Sequence, residues 1–215
     1  MTRPSIPQVV AVALLLTTAG CVGGLTGGES GGGVGGPLSF SASPINVSDS
    51  AISQTEFTLV EAKPVTFEKT FEIEGQSQTV TMNAHMVNLQ RTYQGAPLGS
   101  MVLLSVPQVK ILGQQIDVVK RLDPMSMYSR AKGQSGDLQK QQKIGEFSTQ
   151  SLGGSRTVEV YRGTAERSGS ETKVRIYVTT FDHGGDTMVG VAIVPESAGS
   201  EKQAIRTLLG GLQYG

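Results

Sequence analysis

The chain has a single cysteine, no tryptophan and only two histidines among its 215 residues. One cysteine, Cys21, excludes an intramolecular disulfide and any multi-cysteine metal site, so packing has to hold the fold. His85 and His183 provide little material for a hydrolytic triad or a histidine-rich metal centre, which need several partners converging in space. There is no excess charge of either sign, since Lys+Arg and Asp+Glu both total 18. Bulk attraction to nucleic acid is therefore absent, and aromatics at 5% are too sparse to offer bases a stacking platform.

The cysteine stands at a telling place. Arg3 supplies a small positive region, Val9 to Leu16 reads VVAVALLL, and Thr18-Ala19-Gly20 puts small residues directly before Cys21, the layout of a secretory leader. Only 17 residues separate Arg3 from Cys21, with Pro, Gln, Thr and Gly among them, and a spanning helix needs about 20 mostly apolar ones. The expected division is residues 1–20 as a signal peptide, then a lipidated Cys21, whose lipid would hold the chain at the extracellular side of the cell membrane. No Arg-Arg pair stands near the start, which favours the general secretion route.

Nine of the fifteen residues from Val22 to Gly36 are glycine. Such a segment is a flexible coil with an r.m.s. reach of about 20 Å and a contour of about 50 Å, so residues 21–36 read as a tether. A phosphate-binding loop would need a strand before the glycines and a Lys-Ser/Thr pair opening a helix after them, and neither is present. Asn46-Val47-Ser48 is an N-glycosylation sequon just beyond the tether, with Asn46 as its acceptor.

Residues 37–215 are enough for one domain with its own core, and too few for a two-lobed solute-binding protein of ordinary lobe size. Alternation runs from Val65 through Phe67, Phe71 and Ile73, with Thr66, Glu68, Thr70, Glu72 and Glu74 on the opposite parity, which separates an apolar from an acidic strand face. Val80 to Met86 alternates again, and the change of parity at Val87 and Leu89 predicts a bulge. Met101 to Val106 is a continuous apolar strand, and Asp123-Pro124 opens a helix. Further strands are predicted over Ile144–Leu152, Arg156–Tyr161, Thr172–Phe181 and Met188–Val194. Ser200 and Gln203 have capping-box spacing before an apolar stripe of Ala204, Ile205, Leu208 and Leu209. The expected class is α+β, an antiparallel sheet with helices packed on one face in a two-layer α-β sandwich.

The segments PLSFSASPINVSDSAISQTEF, SVPQVKILGQQIDVVKRLDP, FDHGGDTMVGVAIVP and LLGGLQYG together resemble an uncharacterised lipoprotein family of halophilic archaea. In that family a TAGC-like lipobox and a glycine-containing spacer are usual, and Thr18-Ala19-Gly20-Cys21 matches it. The resemblance implies a lipid anchor and brings no activity with it. The order of elements also looks like the α-β sandwich of photosystem extrinsic proteins and a nuclear-import Ran-binding protein, an analogy of fold alone.

Candidate site residues follow from charge clustering. Lys120, Arg121, Arg130, Lys132, Lys140 and Lys143 form a basic stretch that could meet anionic headgroups or an acidic surface layer. In DHGGD, Asp182, His183 and Asp186 read first as hairpin-turn residues, so no metal, cofactor or catalytic residue is assigned. His85 shares parity with Thr79, Thr81 and Asn83 and is expected to face solvent. The expected role is a non-catalytic binding or envelope-interaction module with an unidentified partner or ligand and no nucleic acid. The alternative is an extracytoplasmic enzyme that uses carboxylates without histidine.

Overall fold

A computed structural model describes residues 38–73, 76–93, 96–111, 114–116, 119, 123–132, 138–167 and 170–215. The expected signal peptide, Cys21 and expected tether, together with Lys120 and Arg121, lie outside the described residues.

The chain is mostly β-sheet. In order come β1 (Leu38–Ser41), β2 (Ile45–Val47), α1 (Asp49–Ser53), β3 (Thr58–Ile73), β4 (Gln76–Tyr93), β5 (Ala96–Pro107), β6 (Val109–Ile111) and β7 (Gln114–Ile116). Then follow α2 (Pro124–Lys132), β8 (Leu138–Ser151), β9 (Gly154–Arg167), β10 (Ser170–His183), β11 (Asp186–Pro195), a 3-10 turn (Glu196–Ala198), α3 (Lys202–Gly210) and β12 (Leu212–Tyr214).

Eight of these strands form one sheet. Its order is β3-β4-β5-β11-β10-β9-β8, and the short β1 lies beside β4 in line with β5. β1 pairs parallel to β4 while the other ladders of the sheet are antiparallel, so the sheet is mixed.

The two-layer α-β sandwich with helices on one face is overturned, and with it the fold analogy to the photosystem extrinsic and Ran-binding proteins. The helices are few and short, and they cover opposite faces. Met125, Met127 and Tyr128 of α2 pack with Val102, Leu104, Val189 and Val191, and the β6–β7 hairpin adds Ile111 and Ile116 to the same cluster. Ile205, Leu208 and Leu209 of α3 pack with Met101, Leu103, Ala192 and Val194, joined by Ala51 of α1 and by Ile45, Val47 and Leu212 of the β2–β12 ribbon. The physical reason lies in β5 and β11. Their side chains alternate between two apolar clusters, so both faces of the central sheet must be covered.

The same two-sided burial explains β4. Val80, Met82, Ala84 and Met86 enter one cluster, Val87 and Leu89 the other, and the pairing of β4 with β3 runs without a shift from Ile73↔Gln76 to Glu61↔Asn88. The change of parity at Val87 is therefore a strand gaining cover on its second face. Bulges occur elsewhere, between Leu59 and Glu61 on β3 and twice on β8.

Where β3, β4 and β1 extend beyond that cover, the second face is polar. Thr66 donates to Asn83 at 3.1 Å, Thr70 and Thr79 bond at 3.2 Å, and Asn83 reaches Ser39 and Ser41. The predicted helix start at Asp123 holds. Ser48 caps α1 by accepting from the Ala51 N–H at 3.4 Å, and Asp123 caps α2 by accepting from Met125 and Ser126. The capping box at Ser200 does not form. Glu201 is the residue at the N-terminus of α3, its side chain makes no cap, and its carboxylate goes elsewhere.

Candidate functional site

Two polar clusters form around the buried acids Glu201 and Asp186. In the first, Arg91 near the end of β4 donates from Nη1 to Glu201 Oε2 at 2.8 Å and from Nη2 to Glu56 Oε2. Its guanidinium lies 4.9 Å from the Tyr93 ring centre. Glu201 is buried, and its backbone N–H donates to the Tyr177 hydroxyl at 3.2 Å. Burial, and then the Glu201 carboxylate, push the Tyr93 phenol well above its ordinary range. Two carboxylates on one guanidinium, with two phenols alongside, tie the turn after α1, the end of β4 and the start of α3 together.

The second cluster sits where the β10–β11 hairpin meets both ends of the described chain. Asp186 Oδ2, in a buried residue, accepts from Ser43 N–H at 2.8 Å, Ser105 Oγ at 3.1 Å and Tyr214 OH at 2.9 Å. Tyr214 also shares its proton with the Gly184 carbonyl at 2.8 Å, and burial raises its phenol pKa. Gly184 has φ +60, and a side chain there would also collide with the Tyr214 ring. Next to this, His85 Nδ1 accepts from the Ile45 N–H at 3.3 Å, which places the ring proton on Nε2.

His85 lies on the strand face its parity predicted, and it is half-buried there and not fully open to solvent. The segment crossing from β1 to β2 covers it, and burial lowers its pKa. The DHGGD residues diverge. Asp186 turns inward, Asp182 accepts from Thr187 Oγ1 at 2.7 Å, and His183 stacks edge-on against Tyr214 with ring centres 4.9 Å apart.

Among the described residues the basic stretch is divided between α2, with Arg130 and Lys132, and β8, with Lys140 and Lys143. Arg130 is exposed on α2, and Lys132 lies in the last turn of that helix. Lys140 sits 4.2 Å from the Tyr161 ring centre on β9. Lys143 donates to Glu146 at 2.8 Å and to Glu159 at 2.7 Å. Those bonds hold Lys143 above the usual lysine range, and the Lys143 and Tyr161 donors pull Glu159 below the carboxylate range. Asn46 is exposed on β2, and its Oδ1 accepts from the Val47 N–H. Cys21 lies outside the described residues.

Residues 44–213 match the model of a domain family of unknown function, DUF6517. The chain belongs to that family. The match runs from just before β2 into β12, so the DUF6517 domain includes both buried clusters, apart from Ser43 and Tyr214 at its margins. No curated protein and no solved structure matches the chain.

Sequence reasoning missed Arg91, Glu201 and Tyr214 as site residues. Arg91 and Glu201 are 110 positions apart and share no local pattern. The available signal was Glu201 itself, an acid placed directly before an apolar helical stripe.

Proposed function

We propose that this DUF6517 chain is a lipid-anchored extracytoplasmic surface protein whose folded domain is a non-catalytic binding or envelope-interaction module. The observation that carries the reading is the order of its parts: an apolar leader, small residues before the one cysteine, a glycine-rich run, then strands that begin at Leu38. The same order supports a source among halophilic archaea, as the resemblance implies. Within the domain, His85, Asp186 and Glu201 are engaged with backbone or side-chain partners that fasten elements together, which suits a scaffold displaying a surface.

Replacing Cys21 with Ser tests the anchor. The parent should fractionate with membranes and require detergent for release, and the variant should move to the soluble or medium fraction. Unchanged detergent dependence would sink the reading.

A second reading, an enzyme working through carboxylates, draws on Glu56 and Glu201 sharing the Arg91 guanidinium beside Tyr93. A hydrolase screen on the full chain, repeated with Glu56→Gln, separates the two readings, since an enzyme of this kind would lose its activity with that change.

A further inference from the structure

The cations best prepared to meet a partner are Arg156 on β9 and Lys202 and Arg206 on α3, none of them in the basic stretch that the sequence singled out. Arg206 on α3 holds its guanidinium 4.7 Å from the Phe147 ring centre and donates from Nε to the Ser148 carbonyl at 3.3 Å. Lys202, one turn earlier, stands 6.0 Å from the same ring. Arg156 on β9 lies 4.3 Å from the Phe181 ring centre and donates from Nε to the Ser151 carbonyl at 3.4 Å. Each guanidinium is thus fixed twice, by an aromatic face and by a strand carbonyl. Among the described residues, none of the three cations has a carboxylate within ion-pair distance. Lys143 shows the contrast, being neutralised by Glu146 and Glu159.

A guanidinium held through Nε and a ring still has its two Nη groups to offer, the edge that matches the oxygens of a phosphate. The entropic cost of ordering these side chains is already met in the folded domain. The geometry points to a cationic ridge of Arg156, Lys202 and Arg206 that docks on the anionic phosphate headgroups of a lipid surface.

The choice of a lipid surface rests on the tethered-domain reading, and the dimensions agree with it. β8 is four strands from β5, about 19 Å across the sheet, and β1, where the described chain starts, lies in line with β5. A tether with a contour of about 50 Å spans that distance, so a domain held through its β1 end can lay its β8 edge on the same membrane.

The test uses the full chain carrying Cys21→Ser, so that no attached lipid contributes. Its binding is measured to vesicles of phosphatidylcholine alone and of phosphatidylcholine with an equal share of phosphatidylglycerol. An apolar leader adds equally to both, and the difference between them reports the ridge. About fivefold in affinity is expected per charge, so Arg156→Gln, Lys202→Gln and Arg206→Gln together should weaken binding to the anionic vesicles about a hundredfold. Affinity of the parent should also fall steeply with salt.

Lys202→Glu alone guards against a folding artefact, because the side chain is exposed and makes no hydrogen bond among the described residues. It should weaken binding to anionic vesicles by about twentyfold with an unchanged melting curve. Equal binding of parent and ridge variants to the anionic vesicles would overturn the proposal. So would ridge-dependent binding to soluble polyphosphate with none to vesicles, which would give the ridge a different partner. Because Cys21 is replaced throughout, failure here leaves the anchor reading standing, and failure of the fractionation test leaves the ridge measurement valid.

Discussion

Arg91 and Glu201 meet at 2.8 Å across 110 positions of sequence, and the carboxylate side of the pair is almost wholly buried, with a side-chain exposure of 9%. The same guanidinium also carries Glu56, whose side chain is 77% exposed. One arginine therefore takes part in two ion pairs of different physical weight. The buried partner has lost its water and depends on the guanidinium, whereas the exposed one can return to solvent.

The two pairs predict unequal mutational costs. Arg91→Met strands the Glu201 carboxylate and should destabilise the domain by about 3 kcal/mol, while Glu56→Gln should cost about 1 kcal/mol or less. Urea midpoints of the two variants would check the order. Equal losses would mean that the solvent side of the cluster matters as much as the buried side.

How far this was readable in advance depends on the range of the interaction. Asp123 before Pro124 announces its helix because a cap acts within three residues. The alternation of Val65, Phe67 and Phe71 announces β3 for the same local reason, although β3 begins earlier, at Thr58. The layer arrangement was misjudged because a strand buried on both faces loses its alternation. Met101 to Val106 carries that signature, and it calls for cover on two sides where a single helical layer gives one. Arg91 with Glu201, and Asp186 with Ser43 and Tyr214, could not be read at all. Their partners are brought together by the sheet order and leave no spacing in the chain.

His85 gives a pH dependence with a definite sign. Burial lowers its pKa below the ordinary 6.5, so the folded state favours the neutral ring, which accepts from Ile45 N–H. The unfolded chain binds the proton more readily, so stability is fully present above pH 6.5 and declines as pH falls toward the lowered folded value. His85→Asn keeps an acceptor oxygen where Nδ1 stands and removes the titration. Stability at pH 8 should change by about 1 kcal/mol or less, and the loss between pH 7 and pH 5 should shrink. Identical pH slopes for parent and variant would rule out His85 as the source.

Asp186 should respond more strongly than any one of its donors. Asp186→Ala leaves the Ser105 hydroxyl and the Ser43 N–H without their acceptor and should cost about 3 kcal/mol. Tyr214→Phe removes one donor and should cost about 1 kcal/mol. Amide exchange at Ser43 separates the two, since it should rise sharply in the first variant and little in the second. Equal exchange in both would mean that the Tyr214 hydroxyl, and not the carboxylate, holds the segment between β1 and β2.

The covering of both sheet faces makes the most exacting prediction, because a single helical layer would give a different answer. Leu208 of α3 has no exposed surface and packs among the residues of one face, while Met127 of α2, 1% exposed, packs on the other. An aspartate at either position would bring an unpaired charge into apolar contact, at a cost of several kcal/mol against a total of about 5–15 kcal/mol for an ordinary domain. Leu208→Asp and Met127→Asp should therefore both lower the melting temperature by ten degrees or more, by the usual scaling of about 2–4 °C per kcal/mol for a domain of this size. If Met127→Asp melted with the parent while Leu208→Asp did not, α2 would not be covering the sheet. The face formed by Val102, Leu104, Val189 and Val191 would then need another cover, because four apolar side chains in a row on one face of a sheet are not left in water.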